Sequence, residues 1–145
     1  MLAPFESPGT ENPYLLTQEL QAVMQEGAMI ARTEEGLSKC LDQVLGLQER
    51  AKNLRVEGSR LYNPGWHTAL DLPNLLTASE AVTRSALERK ESRGAHFRED
   101  FPDKDPASAK FNVVVRKGAD GMMRVERVPI PEMPPELRQV IEEMK

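Results

Sequence analysis

Three segments of this chain carry apolar residues at the three- and four-residue spacing of an amphipathic α-helix, and they restrict the fold more than any other feature. The first segment starts at Asn12-Pro13, a typical N-cap followed by proline at the first helical position. Its apolar stripe is Leu16, Leu20, Val23, Met24, Gly27 and Ile30. Thr33 caps the second segment, whose stripe is Leu37, Cys40, Leu41, Val44, Leu47, Ala51 and Leu54. The connection between them is very short, which predicts an antiparallel helical hairpin.

The third helical segment follows a loop that ends at Asn63-Pro64-Gly65. Helical periodicity resumes at Trp66, and the apolar face is Leu72, Leu75, Leu76, Ala78, Val82, Ala86 and Leu87. Pro73 either lies in the first turn of a new helix or kinks one long helix. We expect this helix to end near Arg93, with Gly94 as its left-handed terminator.

The remainder of the chain has a different pattern. Residues 1–12 are rich in turn formers and predict an extended segment. Branched residues in 111–117 and 122–128 flank a Gly-Ala-Asp-Gly turn, which predicts a β-hairpin. Prolines then precede a short helix from Glu136 to Met144. The predicted fold is mostly α: a bundle of three long antiparallel helices, a small β-hairpin and a short C-terminal helix. We expect one domain over 1–145, with the bundle at about 12–94 and the corner, hairpin and tail at about 95–145.

Composition narrows the classes of function. The chain has 145 residues, 39% of them hydrophobic, and a net charge of −4. A nucleic-acid-binding protein normally carries a basic excess on one face, so we expect no nucleic-acid partner. No apolar run approaches the ~20 residues of a membrane span, and no signal segment is evident, which favours a soluble intracellular protein. The single cysteine, Cys40, excludes an internal disulfide and is predicted to lie in the core.

Arginines and carboxylates are concentrated between the third helix and the hairpin, in residues 91–102, which we call the charged corner. Arginine is the usual choice where a buried or interfacial carboxylate must be held in a fixed fork. The candidate structural or interface residues of this corner are Glu91, Arg93, His96, Arg98, Glu99 and Asp100. Trp66 and His67, near the start of the third helix, are candidates for packed or interfacial residues. Arg93 either joins helix to hairpin by pairing with a carboxylate, or faces another domain or subunit.

The sequence offers little material for catalysis. Neither His67 nor His96 is paired with a nucleophile in any recognisable pattern, and no Gly-x-Gly-x-x-Gly loop is present. His96 with Glu91 and Asp100 matches no familiar metal-ligand spacing. We therefore predict no catalytic, cofactor-binding or metal-binding residue in this chain.

The string Glu-Ser-Arg-Gly-Ala-His from Glu91, followed by Arg-Glu-Asp-Phe-Pro from Arg98, resembles the signature near the C-terminus of succinate dehydrogenase and fumarate reductase flavoprotein subunits. Residues 4–6 and 11–14 resemble the start of that family's C-terminal helical domain, and residues 62–81 resemble its third helix. The Pro-Pro-Glu-Leu tail resembles the ending of one branch. The resemblance runs in order along nearly the whole chain.

The resemblance implies part of an enzyme that interconverts succinate and fumarate through FAD, an iron–sulfur subunit and quinone. The family's flavin- and substrate-binding residues lie upstream, so it implies an inactive C-terminal domain with a structural role. The implied partners are the flavin-binding domain of the same subunit and the iron–sulfur subunit. The implied location is cytoplasmic, on the inner face of the membrane through the parent complex. An isolated fragment of this kind is expected to expose an apolar face and to form a homodimer through it.

Two alternatives stay open. L-aspartate oxidase shares a related corner and flavin chemistry, although Ala95 and Phe101-Pro102 favour the succinate group. Residues 107–111 lack the Trp-x-Lys-His-Thr segment of many members, which leaves the branch and the direction of reaction open. A standalone helical protein-interaction module, translated from Met1, is the alternative from another class.

Overall fold

The computed structural model describes residues 3–144 and has the predicted class of fold, a bundle of three long helices followed by a hairpin and a short helix. The helices are α1 (Ala3–Glu6), α2 (Pro13–Gly27), α3 (Glu34–Ala51), α4 (Pro64–Glu88) and α5 (Pro135–Glu143). The strands are β1 (Ala31–Arg32), β2 (Phe97–Arg98), β3 (Phe111–Lys117) and β4 (Met123–Pro129). A single 3₁₀ turn, Ser108–Lys110, leads into β3. Within residues 3–144, no helix is both long and apolar enough to cross a membrane.

The predicted caps form where the sequence places them. The Asn12 side chain accepts a hydrogen bond from the Tyr14 amide at 2.9 Å, and Pro13 occupies the first turn of α2. Thr33 Oγ1 accepts from the Gly36 amide at 3.1 Å at the start of α3. These side chains satisfy amide groups that have no partner within their helices.

Helix α4 differs from the prediction at both ends. It begins at Pro64, capped by Asn63, rather than at Trp66. It is one continuous helix with Pro73 in its interior, and Leu72 and Leu76 on its inner face are fully buried. The prediction that the helix ends near Arg93 is wrong. The backbone of Arg89 is already extended, and Gly94 (φ +60°) instead serves the tight turn inside the charged corner.

The core lies between α2, α3 and α4, each of which packs on the other two. Its buried apolar residues are Leu16, Leu20, Ala28, Leu37, Cys40, Val44, Leu47, Leu54, Leu72, Leu76 and Ala86. Cys40 is in this core, as predicted. Ile30, Leu75, Ala78 and Val82 were expected in the apolar stripes but are exposed. The inner face of α4 is partly polar, because Thr83 and Glu80 take buried positions there.

The N-terminal segment contains a helical turn, α1, so the prediction of an extended segment over residues 1–12 is wrong for residues 3–6; residues 1 and 2 are outside the described range. The Pro4 carbonyl accepts from the Val56 amide at 2.9 Å, and the Phe5 ring lies 6.5 Å from that of Trp66. These contacts fix α1 against the loop between α3 and α4 and the first turn of α4.

Two small sheets complete the fold. Strands β3 and β4 form the predicted antiparallel hairpin, in which Phe111 is opposite Pro129 and Lys117 is opposite Met123. Gly121 takes a positive φ of 80° in its turn, and the hairpin packs against α4. Strands β1 and β2 pair in parallel, with Arg32 beside Arg98. This pairing brings the charged corner to the start of α3.

The close approach of α2 to α3 at Gly27 generates a stability prediction. A Cβ atom on Gly27 would lie 2.6 Å from Cys40 Cβ and 2.9 Å from the Gly36 carbonyl oxygen. We expect Gly27→Ala to lower the free energy of unfolding by about 1–3 kcal/mol, because the helices must separate to admit the methyl group. Thermal melting of the 145-residue chain measures this change.

Gly46→Ala is the matched control. Gly46 lies in α3 with nothing within 4 Å of its added Cβ. Alanine there should stabilise the chain by about 0.5–1 kcal/mol, since it restricts the unfolded state and favours helix. Equal melting temperatures for the two variants would contradict the close packing at Gly27.

Candidate functional site

Arg98 is the central side chain of the charged corner and is fully buried, with 0% of its side chain exposed. Its Nε and Nη2 atoms donate to the two oxygens of Asp100, each at 2.8 Å. Nη2 also donates to Glu34 Oε2 at 2.8 Å, and Nη1 donates to the Ala86 carbonyl at 3.0 Å. One guanidinium therefore joins the corner to the first turn of α3 and the last turns of α4.

Asp100 connects the corner to the N-terminus of α3 a second time. Its Oδ2 atom accepts from the Glu34 amide at 2.7 Å. A carboxylate at this position also interacts favourably with the positive end of the helix dipole. The bonds from Arg98, helped by the Glu34 amide, hold the pKa of Asp100 well below its ordinary value.

Glu91 is the second buried charge of the corner, also with 0% of its side chain exposed. It accepts from Arg93 Nε at 2.9 Å and Arg93 Nη2 at 3.0 Å, and from Arg89 Nη1. The Asp105 amide donates to its Oε2 atom at 2.9 Å. The hydrogen bonds from Arg93 are the main cause that lowers the pKa of Glu91 to about 2, against the opposing effect of burial.

The two arginines on Glu91 extend the network to the hairpin. Arg89 donates to the carbonyls of Ser108 and Phe111 at 3.0 and 3.1 Å, and its guanidinium lies 5.2 Å from the Phe111 ring centre. Arg93 donates to the Asp105 carbonyl at 3.1 Å, and 38% of its side chain is exposed. Arg93 thus pairs with a carboxylate, whereas Arg89 makes the contacts that join the end of α4 to β3.

His96 lies between a cation and a carbonyl. Its Nδ1 atom is 2.9 Å from Arg32 Nη1, and its Nε2 atom is 3.0 Å from the Arg89 carbonyl. Since the carbonyl can only accept, Nε2 carries the proton and Nδ1 accepts from Arg32. Burial, chiefly, and the nearby arginines lower the pKa of His96, so the ring is neutral at pH 7.

Backbone hydrogen bonds fix the shape of the corner. Ser92 Oγ accepts from the Arg98 amide at 2.8 Å and donates to the Phe101 carbonyl at 2.9 Å. Arg93 and His96 exchange two backbone hydrogen bonds of 2.8 and 3.0 Å across Gly94. The positive φ of Gly94 closes this turn, a conformation that a β-carbon disfavours.

The structure brings Glu91, Arg93, His96, Arg98 and Asp100 into one connected network. Glu99 is in the same segment, but its side chain is exposed, and it is its backbone amide that donates to the Arg32 carbonyl at 2.9 Å.

Trp66 and His67 do not belong to this network. They lie in the first turn of α4, whereas the corner follows its last turn, and a 25-residue helix is about 37 Å long. Their rings are 5.1 Å apart, and the Trp66 ring also contacts Phe5.

Sequence reasoning missed several members of the network. Arg32 comes from β1 and Glu34 from the first turn of α3, about sixty residues before the corner. Asp105 and Ser108 follow the corner in the chain. The pairing of β1 with β2 creates the first two contacts, and two-residue strands leave no periodic signal in a sequence. The hydrogen bonds from Arg89 to backbone carbonyls also leave no signal in the sequence.

The polar groups of the corner hold neighbouring elements together through hydrogen bonds and ion pairs. The carboxylates of Glu91 and Asp100 are occupied by guanidinium groups and backbone amides, and both nitrogens of His96 are engaged. Among residues 3–144, no group of three or more His, Cys, Asp or Glu side chains is arranged to hold a metal ion. The described corner can join α3, α4 and β3 rigidly.

Relatives of this chain include flavoprotein oxidoreductases, and a family model identifies the family. The family model described as fumarate reductase flavoprotein C-term matches residues 17–140 of this chain. The chain belongs to this family, and the resemblance drawn from the corner motif is confirmed.

Individual relatives agree with this assignment. The fumarate reductase flavoprotein subunit of Escherichia coli is 35% identical over 90% of this chain and 22% of its own length. L-aspartate oxidase of Streptomyces coelicolor is 34% identical over 80% of this chain and 20% of its own length. A solved structure, Mycobacterium smegmatis Sdh1 in complex with UQ1, has a chain that is 40% identical with a TM-score of 0.84, over 97% of this chain and 24% of that one. The chain spans about a fifth of the length of the curated relatives it matches.

The burial of Arg98 generates a stability prediction. Arg98→Ala removes both carboxylate pairs and leaves the Ala86 carbonyl without its donor. We expect a loss of about 3–5 kcal/mol of unfolding free energy and a fall in Tm of about 10 °C or more. The control is Arg116→Ala, which removes an exposed ion pair with Glu126 and should cost under about 1 kcal/mol. Similar melting curves for the two variants would show that Arg98 is not an anchor.

The lowered pKa of Glu91 predicts a pH dependence of stability. The arginines bind the carboxylate form, so the folded chain holds this proton less tightly than the unfolded chain. The stability that Glu91 contributes is therefore complete above its ordinary pKa of 4.5 and is lost as the pH falls towards about 2. Asp100 acts in the same direction.

Urea unfolding of the wild-type chain and of Glu91→Gln, between pH 7 and pH 2, tests this dependence. The difference between the two should shrink steadily as the pH falls from about 5. Glu57→Gln, at an 83% exposed side chain, controls for a general effect of removing one carboxylate. A difference that does not depend on pH would contradict the assignment.

Proposed function

We propose that this chain is the C-terminal helical domain of a flavoprotein subunit that interconverts succinate and fumarate, and that its role is structural. The observation that carries the proposal is the 40% identity, over 97% of the chain, to a chain of the Mycobacterium smegmatis Sdh1 structure. The TM-score of 0.84 supports the same arrangement of helices and hairpin.

FAD and the reacting groups belong, in this proposal, to the part of the subunit that precedes this domain, and the domain alone is inactive. The state of the charged corner supports this division. Its Glu91 and Asp100 carboxylates accept hydrogen bonds from arginines, and its histidine is hydrogen-bonded to Arg32 and to a backbone carbonyl. Groups with these partners hold the backbone in place and are poorly suited to exchanging protons with a substrate.

The proposed partners are the flavin-binding domain of the same subunit and an iron–sulfur subunit, which passes electrons from FAD to quinone. The complex would place the domain at the cytoplasmic face of the membrane. Exposed apolar side chains support an interface role; Ile30 and Val82 are 72% and 47% exposed. In the isolated domain, exposed apolar side chains would let two copies associate as a homodimer.

L-aspartate oxidase is the second candidate parent, because the enzyme of Streptomyces coelicolor is 34% identical over 116 residues. Ala95 and Phe101-Pro102 favour the succinate group over this alternative. Turnover of the larger subunit with succinate and with L-aspartate, measured by reduction of a dye, separates the two.

The proposal predicts the size of the native protein and its flavin content. An antibody raised to this chain should detect, in extracts of the source cells, a band several times larger than 16.3 kDa. The immunoprecipitated larger protein should contain FAD and oxidise succinate. The 145-residue chain, titrated with FAD as the control, should show no flavin binding and no turnover.

Two outcomes would overturn the proposal. A native band at 16.3 kDa would identify a standalone protein-interaction module. Tight FAD binding by the 145-residue chain would show that the flavin site does not lie wholly upstream.

A further inference from the structure

Arg32, which contacts the charged corner from β1, differs from the neighbouring arginines in having no acidic partner among residues 3–144. Its Nε donates to the Ala28 carbonyl at 3.0 Å, and its Nη1 donates to His96 at 2.9 Å. Arg89, Arg93 and Arg98 each have a carboxylate oxygen within 3 Å. Among residues 3–144, no carboxylate lies within 4.0 Å of the Arg32 guanidinium. Arg138 shares this property, but it lies on the fully exposed helix α5.

The environment of Arg32 leaves this cation uncompensated. The residue is partly buried, and burial together with the charge of Arg98 lowers its pKa. The nearby guanidiniums of Arg98 and Arg89 are already paired with carboxylates, and His96 contributes a neutral ring. A partly desolvated charge with no counter-charge is unfavourable. The free domain therefore lacks one negative group beside the Arg32 guanidinium.

Apolar side chains lie beside Arg32, and a partner that covered them would displace water from around its guanidinium. Arg32 and His96 line a shallow groove of about 400 Å³ on the face of α4, whose apolar wall is formed by Ala81, Val82 and Val113. Val82 is 47% exposed, so the apolar wall of the groove is open to a partner. Arginine, unlike lysine, is enriched at protein interfaces, and an apolar surrounding strengthens its pairing with a carboxylate.

We propose that this groove receives an acidic side chain, flanked by apolar residues, from the flavin-binding part of the same subunit. The carboxylate accepts from Arg32 Nη2, which has no hydrogen-bond partner among residues 3–144, and its apolar neighbours cover Val82. The identity of the partner rests on the function proposed above; the recognition of a carboxylate by Arg32 rests on the groove alone.

The chemistry of recognition is tested on the 145-residue chain with two probes, N-acetyl-leucyl-glutamyl-leucinamide and its glutaminyl counterpart. Titration is followed by NMR at the Arg32 Nε–H resonance and at the His96 ring. The glutamyl peptide should shift both resonances to saturation and raise the pKa of His96, because a carboxylate near the ring favours its charged form. The glutaminyl peptide should bind about ten-fold more weakly. Equal binding of the two peptides, or no selective shift at Arg32, would overturn the proposal.

Variants separate recognition from folding. Arg32→Gln should abolish the selectivity for the glutamyl peptide, and Arg60→Gln, at an exposed arginine near the opposite end of α4, should leave it unchanged. Arg32→Gln also loses bonds within the domain, so Val82→Glu serves as the second variant. It supplies a carboxylate to the groove from the surface of the folded chain, and should block the peptide while the far-UV spectrum stays unchanged. Retained glutamyl selectivity in Val82→Glu would contradict the site.

The partner is identified in the native larger subunit by a photo-reactive benzophenone side chain placed at position 82, with position 61 as the exposed control. The expected adduct from position 82 is a peptide of the flavin-binding part that contains Asp or Glu, absent from the control. An adduct to the iron–sulfur subunit, or none at all, would overturn the assignment of the partner. If no larger subunit exists, the proposed function fails, and the peptide titration still decides whether the groove binds a carboxylate.

Discussion

The bidentate pair of Arg98 with Asp100 is the interaction on which the arrangement of the domain depends. A guanidinium with 0% exposure is strongly unfavourable unless its donors are satisfied, and here the partners come from the corner, the start of α3 and the end of α4. A neutral residue of similar size could fill the space, but it could not specify the angle at which these three segments meet. The planar fork imposes that angle, which is a reason for arginine rather than lysine at this position.

Glu91 is the buried anion of the corner, whereas Arg98 is its buried cation. Two arginines and one backbone amide donate to the Glu91 carboxylate. Arg89, which binds Glu91, also donates to two backbone carbonyls at the start of the hairpin and so positions it relative to the corner. The hairpin makes few contacts with the bundle beyond its packing on α4. Its position is therefore set largely by hydrogen bonds of fixed direction, and the loss of one buried charge would disturb the hairpin as well as the corner.

The sequence predicts the bundle and the hairpin well because their signals are local. Helix caps at Asn12 and Thr33, apolar periodicity and the turn before Met122 each act within a few residues. The end of α4 could not be predicted in this way. Residues 89–93 are compatible with helix by composition, and the bonds of Arg89 to Glu91 and to the carbonyls before β3 accompany a helix that ends earlier. The corner was located by its motif, whereas the contribution of Arg32 and Glu34 depends on a two-residue parallel pairing that only the folded chain reveals.

Corner motifs that mark a family are often interpreted as catalytic, and the geometry of this one argues for a different role. A catalytic carboxylate or histidine needs a pKa near the working pH and an accessible lone pair. Here the pKa of Glu91 is about 2, that of Asp100 is lowered as well, and the lone pair of His96 Nδ1 is taken by Arg32. Such groups keep one charge state at neutral pH, which suits a rigid joint. Arg32, which donates to His96 from β1, is the exception in this balanced network, since no carboxylate among residues 3–144 pairs with its guanidinium. The proposed acidic partner would supply this counter-charge, and the exchange of solvent for a carboxylate at Arg32 would add electrostatic complementarity to the interface.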